Sequence, residues 1–289
     1  MAVGKAAGPN APKEAGALFV AATPIGNLDD ISMRLQAILR RVSTVAAEDT
    51  RRARTLLRSV GAQADLISLH AHNERSRIAR LLRLLRSGED LILLSDAGTP
   101  GISDPGMRLV SEVREAGIEV TPLPGPCAAI AALSVAGFPA DRFRFEGFLP
   151  PRSAARRARL MGLKGVAQTL VFYEAVHRLS AALEEMRDIF GGDRKAYLAR
   201  EMTKLHESFY GQTLDDLCQA VLSGAIVAKG EFTLVVAGSD AAEENETALD
   251  AALEPLLEEL PTSQAARLAA AISGTSRRLA YQRALRLKR

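Results

Sequence analysis

At 289 residues the chain outgrows a single comfortable core, so two domains with a small appendage are expected. Hydrophobic residues make up 47% and charged residues 25%, while 4% aromatics and no tryptophan argue against a surface built on aromatic stacking. The net charge of +3 is too small to decide a partner, so where the arginines sit matters more than their total.

The opening MAVGKAAGPNAPKEA holds no apolar run of a signal peptide and reads as part of a flexible tail over 1–16. From there ALFVAAT, STVAAED, DLISLH and DLILLSD, all strand-like, alternate with ISMRLQAILRRV, TRRARTLLRSV and NERSRIARLLRLLRSG, which carry a helical period. That alternation predicts a mainly parallel sheet covered by helices. A helix near 105–117 and the strand IEVTPLP complete an N-terminal α/β domain over 17–125. PGPCAAIAALSVAGFP then opens with a turn and continues as a small-residue helix, crossing into a second α/β domain over 126–240. There RFRFEGFL, QTLVFYE, KAYLARE, HESFYGQT and EFTLVVAG are separated by only two or three helical stretches, which favours a mixed sheet. SDAAEENET reads as a linker to three short helical segments, a helical appendage over 241–289.

Cys127 and Cys218 lie far apart without CxxC spacing or a histidine partner pattern, giving neither a disulfide framework nor a zinc site. A reducing compartment follows. No run approaches the roughly 20 apolar residues of a membrane span, so no membrane is expected and the localisation is read as cytoplasmic.

The stretch LILLSDAGTPGISDPG, 91–106, carries a buried strand into a loop of small residues, prolines and aspartates. In a doubly wound sheet ligands sit beyond the carboxyl ends of the strands, so this loop is placed to bind. It offers peptide groups, not long side chains. Neither GxxxxGK[ST] nor a helix-opening GxGxxG is present, and the loop has no lysine or arginine, so no phosphate cradle is indicated. A cationic ligand needs none, and Asp96 can take an ammonium or ribose hydroxyls; S-adenosylmethionine fits that description. The same loop can also be turns plus a helix start, with Asp104 as the cap, and the residues alone leave both readings open. TPIGNLDDIS, 23–32, has the same character after the first strand, with Asp29 or Asp30 as a cap; the two loops meet if their strands are neighbours.

In order along the chain, TPIGNLDDIS, AAEDTRRARTLL, LHAHNE, SDAGTPGISDPG, PLPGPCAAIAALSVAGFP, RFRFEGFLP, TLVFYEAVHRL, AREMTKLHE and KGEFTLVV resemble the ribosomal RNA small subunit methyltransferase I family, of the tetrapyrrole methylase superfamily. The resemblance spans 17 to about 238, and the C-terminal segment resembles that family's helix-turn-helix-like appendage more loosely. It implies two α/β domains of the tetrapyrrole methylase type with a cofactor cleft between them, a homodimer, and S-adenosylmethionine-dependent methylation of a 2′-hydroxyl. The substrate it implies is a decoding-centre cytidine of small-subunit (16S) ribosomal RNA; the assembled subunit is the preferred form, with naked RNA the alternative. Carried over by position, Pro24, Ser95, Asp96, Ala97, Gly98, Thr99, Cys127 and Ala128 contact the cofactor, as do Glu174 and Met202 from the second domain, with Glu231 and Phe232 a looser correspondence. Tetrapyrrole-methylating relatives typically carry GDP where this chain has Ser95-Asp96-Ala97, a departure that matches the ribosomal RNA branch.

A ribose hydroxyl is a poor nucleophile until its proton is taken. Glu174, at the end of TLVFYE, is the expected proton acceptor, with Glu201 and Lys204 in reserve; Glu174 can instead pair with His177 or Arg178. Of the four histidines only His70 and His72 are close in sequence, and no metal site is expected; His72 and Asn73 are read as substrate contacts. Runs such as TRRARTLLR and PPRSAARRARLMGLK usually mark a solvated helix face. Here Arg51 and Arg52 follow one strand end and Arg152, Arg156 and Arg157 another, so both clusters can face RNA phosphates. The tail SRRLAYQRALRLKR, led by Arg277 and Arg278 and free of acidic residues, is a further nucleic-acid candidate. Two rivals stand beside this reading: a tetrapyrrole carbon methyltransferase, and a non-catalytic RNA-binding assembly factor.

Overall fold

The computed structural model describes residues 15–239 and 241–287. Most of the expected tail, and the basic residues Lys288 and Arg289, lie outside the described residues. Two compact units emerge, each with its own sheet.

The first unit takes the chain through residue 135 and also claims 199–209 and 230–233. Its elements alternate as β1 (Leu18–Ala21), α1 (Met33–Leu39), β2 (Thr44–Ala47), α2 (Thr50–Ser59), β3 (Asp65–Ser68), α3 (Glu74–Arg86), β4 (Leu91–Leu94), α4 (Met107–Glu115), β5 (Val120–Leu123) and α5 (Ala128–Val135). The strand order is β3-β2-β4-β1-β5, and every pair is parallel. Strands β2 and β4 are buried on both faces, which is why TVAA and LILL run apolar without alternation. One face packs α1 and α2 through Leu35, Leu39, Ala53, Leu56 and Leu57; the other packs α3 and α4 through Ile78, Leu81, Leu85, Leu109 and Val113. The i, i+3, i+4 spacing of these side chains sets which helix stripe turns inward.

Two expected caps are corrected. Helix α1 is capped by Ser32, which accepts from Leu35 N, and not by Asp29 or Asp30, because Ser32 immediately precedes the first helical residue. Helix α4 begins after Gly106 with no side-chain cap, so Asp104 is left for another role.

The second unit comprises 136–198, 210–229 and the chain from Leu234 onward. Its elements are β6 (Phe143–Phe148), α6 (Ser153–Met161), β7 (Thr169–Ala175), α7 (Leu179–Phe190) and α8 (Leu214–Leu222), together with most of β8 (Lys195–Arg200) and β9 (Ser208–Thr213) and the second half of β10 (Glu231–Val236). The second sheet has the order β6-β7-β10-β8-β9, with β6 and β7 parallel and a bulge between Phe145 and Gly147. Three further helices follow: α9 (Ala241–Glu259), α10 (Thr262–Ser273) and α11 (Arg277–Leu287). The segment read as a linker is largely helical, since α9 starts at Ala241. Alanine and glutamate are strong helix formers, and their polarity had hidden that. Leu249, Leu253, Ala266, Ala269, Ala270, Ala280 and Ala284 form a small core of their own among α9, α10 and α11.

Candidate functional site

Strands β1 and β4 are neighbours, and the loops that leave their carboxyl ends are joined. Thr23 N donates to Gly98 O at 2.8 Å, and Gly98 N returns a bond to Thr23 O at 3.0 Å. Gly98 meets this geometry at φ 75°, a left-handed conformation that glycine adopts without cost. Thr99 Oγ1 donates to Pro126 O at 3.1 Å, which draws Cys127 and Ala128 to the same end of the sheet. A side chain at Gly125 would press on Ala22 O at 3.0 Å, so the PLPGP turn lies directly against the end of β1.

A third strand-end segment joins them. Residues 199–209 and 230–233 belong to the first unit, which corrects the placement of Met202 in the second domain; Glu201, Lys204, Glu231 and Phe232 sit there too. Asn27 N donates to Thr203 Oγ1 at 3.1 Å, and Gly26 packs so tightly on Lys204 that a Cβ would collide with its side chain. Glu201 and Thr203 hold left-handed φ angles of 50° and 67°, strain that non-glycine residues accept only where the surroundings impose it. Lys204 Nζ lies 2.9 Å from Glu201 Oε1 and 3.1 Å from Glu231 Oε2, and Glu231 N donates to Glu201 Oε1 at 2.9 Å. Burial alone would push the Lys204 ammonium down and the Glu201 carboxyl up. Their mutual bond and the contacts with Glu231 outweigh it, so Lys204 is raised and Glu201 lowered. Lys204 is therefore a held cation and not the neutral lysine a base requires.

Carboxylates gather at the ends of β2 and β4. Asp96 Oδ1 accepts from Asp49 N at 2.8 Å, with Arg52 Nε 3.8 Å from Oδ2, so Asp96 ties the β4 loop to the start of α2. Asp104 is pushed up to about 6 by burial and then by the charge of Glu48, against a hydrogen bond from Ser95. Burial and the charge of Asp96 raise Glu48 as well. Glu48 Oε2 and His70 Nδ1 are buried without a hydrogen-bond partner among the described residues. Asn73, read as a substrate contact, instead accepts from His70 N and donates to Ser68 O, fixing the turn after β3. Sequence reasoning passes over Glu48 and misassigns Asp104; the acidic AAED ending at the same level as SDAG is the signal that points to them.

Between the loops lies a cavity of about 320 Å³ lined by Thr23, Pro24, Gly26, Arg52, Ser95 and Asp96 among others. That volume is at the low end for small-molecule sites. Its lining mixes the apolar Leu28, Ala53, Leu56 and Leu94 with the hydroxyls of Thr23, Thr55 and Ser95 and one opposed pair of charges, Asp96 and Arg52, which suits a ligand with an apolar body and a few polar groups. Among the described residues no group of three or more His, Cys, Asp or Glu side chains is arranged to hold a metal ion.

The remaining expected residues lie in the second unit. Glu174 is 4% exposed; its Oε1 is 3.0 Å from Arg178 Nη2 and accepts from Ala175 N, while Oε2 has no partner among the described residues. Arg156, expected to face RNA, is 5% exposed and gives both Nε and Nη2 to Glu185, at 2.8 and 2.9 Å. It sits on the inward stripe of α6, where a single arginine is spent on a single carboxylate. Arg152 and Arg157 are exposed, Arg157 with Asp188 at 3.4 Å. Arg277 and Arg278 are exposed in the first turn of α11, where the helix dipole disfavours cations. Arg283 is committed to Asp250. No helix among the described residues is long and apolar enough to cross a membrane.

The chain belongs to the tetrapyrrole (corrin/porphyrin) methylases, whose family model matches residues 17–218. A solved cobalt precorrin-4 methyltransferase of cobalamin biosynthesis shares the fold, with a TM-score of 0.58 at 16% identity over 76% of this chain and 94% of its own. Within that class it is a member of the ribosomal RNA small subunit methyltransferase I family. The relative of that name from Pseudomonas aeruginosa is 51% identical over 94% of this chain and 97% of its own length. The one from Escherichia coli O157:H7 is 46% identical over 96% and 97%. A model described as the RsmI C-terminal HTH domain matches residues 243–288.

Proposed function

We propose that this protein is an S-adenosylmethionine-dependent methyltransferase acting on the 2′-hydroxyl of a decoding-centre cytidine in small-subunit ribosomal RNA. It works as a cytoplasmic homodimer on the assembled subunit. The observation that carries the cofactor reading is the cavity between the bonded loops after β1 and β4, lined by Pro24, Ser95 and Asp96 of the expected cofactor contacts. The substrate follows from the family and from exposed arginines at Arg51, Arg52, Arg152, Arg157, Arg277 and Arg278.

When bound, S-adenosylmethionine would supply a sulfonium-activated methyl carbon; attack by an oxygen forms the O–C bond as the C–S bond breaks and neutral S-adenosylhomocysteine leaves, with no metal needed. Pro24, Ser95, Asp96, Ala97, Gly98 and Thr99 hold it, with Cys127, Ala128, Met202, Glu231 and Phe232 completing the enclosure. Asp96, which lines the cavity, and the carboxylates coupled to it, Glu48 and Asp104, favour positive charge, and the Lys204 cluster fixes the loop at Gly26. Because the reaction is an in-line displacement, most of the rate comes from holding the two reacting atoms in register. Glu174 takes the hydroxyl proton on Oε2, the oxygen that Arg178 leaves free, and Arg178 keeps the carboxyl oriented.

The test is mass spectrometry of small-subunit RNA from a deletion strain, before and after treatment with the protein and donor. One ribose methyl group restored on a cytidine is expected; a base methyl, or none, refutes the assignment. Glu174→Gln should slow single-turnover transfer by about 10²–10⁴-fold, the usual worth of a general base. Calorimetry that detected no donor binding would favour the assembly-factor rival, and turnover of a precorrin would favour the tetrapyrrole one.

A further inference from the structure

Helices α2 and α3 pack on opposite faces of the first sheet beside its edge strand β3, α2 through Leu56 and Leu57 and α3 through Ile78, Leu81 and Leu85. Together they carry nine arginines, no lysine and one acidic residue, Glu74, which is buried and accepts from Leu109 N. All nine arginines are exposed. Arg51 and Arg52 have carboxylate partners; Arg54, Arg58, Arg77, Arg80 and Arg83 have none among the described residues. Like charges at i, i+3 and i, i+4 repel, as between Arg54 and Arg58 or Arg77 and Arg80, and nothing on either helix offsets them. A face shaped for solubility alone interleaves both signs.

With the inward stripes set by the buried side chains, the helical repeat puts Arg54 and Arg58 on the flank of α2 that overhangs β3. Both line a hollow along that strand with Asp65 and Leu66. Arg77 and Arg80 fall on the flank of α3 turned away from α4, toward the same edge. The other nearby acids, Glu112 and Glu115, are on α4 and share a hollow with Arg86, on the opposite side of α3. Along α2 the basic row is continuous with the candidate site, since Arg52 lines the cavity and Arg54 begins the hollow. None of the large exposed hydrophobic side chains lies on α2 or α3, so the surface lacks the apolar wedge of a membrane-binding helix. Its chemistry is that of planar, always-charged donor forks, which match phosphate.

We infer that the β3 edge of the first unit, bracketed by Arg54 and Arg58 from one face and Arg77 and Arg80 from the other, binds the phosphodiester backbone of RNA beyond the reacting nucleotide. This rests on the RNA reading above and extends the contact surface from the cavity mouth around the side of the sheet. The phosphates there set position and not sequence.

The test uses the full chain and three variants: Arg54→Gln with Arg58→Gln, Arg77→Gln with Arg80→Gln, and all four together. Affinity for protein-free small-subunit ribosomal RNA and for assembled small subunits is measured across a salt series, with donor binding by calorimetry as the check on folding. Four lost phosphate contacts should flatten the slope of log K against log salt by about 3 and weaken binding tenfold or more at low salt, each pair giving roughly half the slope change. Donor affinity should not move. Unchanged RNA affinity and slope in the fourfold variant overturn the inference. So does a loss seen only with assembled subunits, which would assign the arginines to a ribosomal protein. A parent chain that binds RNA but transfers no ribose methyl on either substrate sinks the function proposal while the slopes still decide the surface; one that binds neither protein-free RNA nor the assembled subunit overturns both.

Discussion

Arg156 and Arg157 are adjacent in a basic run, yet the structure divides their work. Arg156 and Glu185 form a buried two-point pair, further held by Ser153 Oγ at 2.7 Å from Glu185 Oε1. Removing one partner of such a pair strands a charge, and Arg156→Ala should cost about 3–5 kcal/mol. The exposed Arg157 pair with Asp188 should be worth about 0–1 kcal/mol. Denaturant titration of the two variants checks both values, and equal midpoints would contradict the division. Asp104 gives a pH signature of opposite sense to a salt-bridged carboxylate. Its folded pKa, pushed up to about 6, lies above the ordinary aspartate value, so the folded state binds the proton more tightly than the unfolded chain does. Its contribution is fully favourable below about pH 4 and is lost as pH rises through about 6. Asp104→Asn should therefore raise the melting temperature at pH 8 by about 2–4 °C for each kcal/mol relieved, with little change at pH 4. A gain that was larger at pH 4 would reverse the assignment.

Among the elements, the segment joining β4 to α4 carries the sharpest backbone demands. Gly106 sits at φ 122°, and a Cβ there would lie 2.6 Å from Leu93 Cδ2, the methyl tip of a fully buried side chain. Gly106→Ala combines strain with overpacking and should cost about 2–4 kcal/mol. Gly98→Ala meets only ordinary contact, 3.5 Å from Ile25 Cγ2, and should cost about 1–2 kcal/mol for its left-handed angle. Thermal unfolding in parallel orders the two; the reverse order would mean the loop relaxes around position 106. These loops were legible in the sequence because glycine and proline report backbone shape directly. Thr23 and Gly98 were placed together by the expectation of neighbouring strands alone. Asp104 and Asn73 were not, because a short polar side chain beside a turn looks the same whether it caps a helix, ties a loop or faces a charge. Arg156 was hidden for a related reason, since its partner Glu185 is a helix away and no local pattern announces a buried pair.

For the whole molecule, alternating strands and helices make the first sheet readable, but not which unit claims a returning segment. Residues 199–209 and 230–233, which include ends of β8, β9 and β10, belong to the first unit, so Thr203 and Lys204 meet the loop after β1 from far along the chain. Linear boundaries cannot express that. The C-terminal helices are the contrary case: their core is closed on itself, made of Leu249, Leu253 and five alanines from α10 and α11, with none contributed by either sheet. Ending the chain at Gly238 should therefore leave the other cores and the donor cavity intact, and donor affinity by calorimetry should be unchanged. RNA binding should weaken and its salt slope should flatten by about 1–2, because Arg277 and Arg278 leave with α11 and each phosphate contact contributes roughly 0.7–0.9 to that slope. Equal RNA affinity with an equal slope would remove the appendage from the interface. A truncated chain that also lost the donor would mean that these helices support the catalytic units, contrary to the self-contained core.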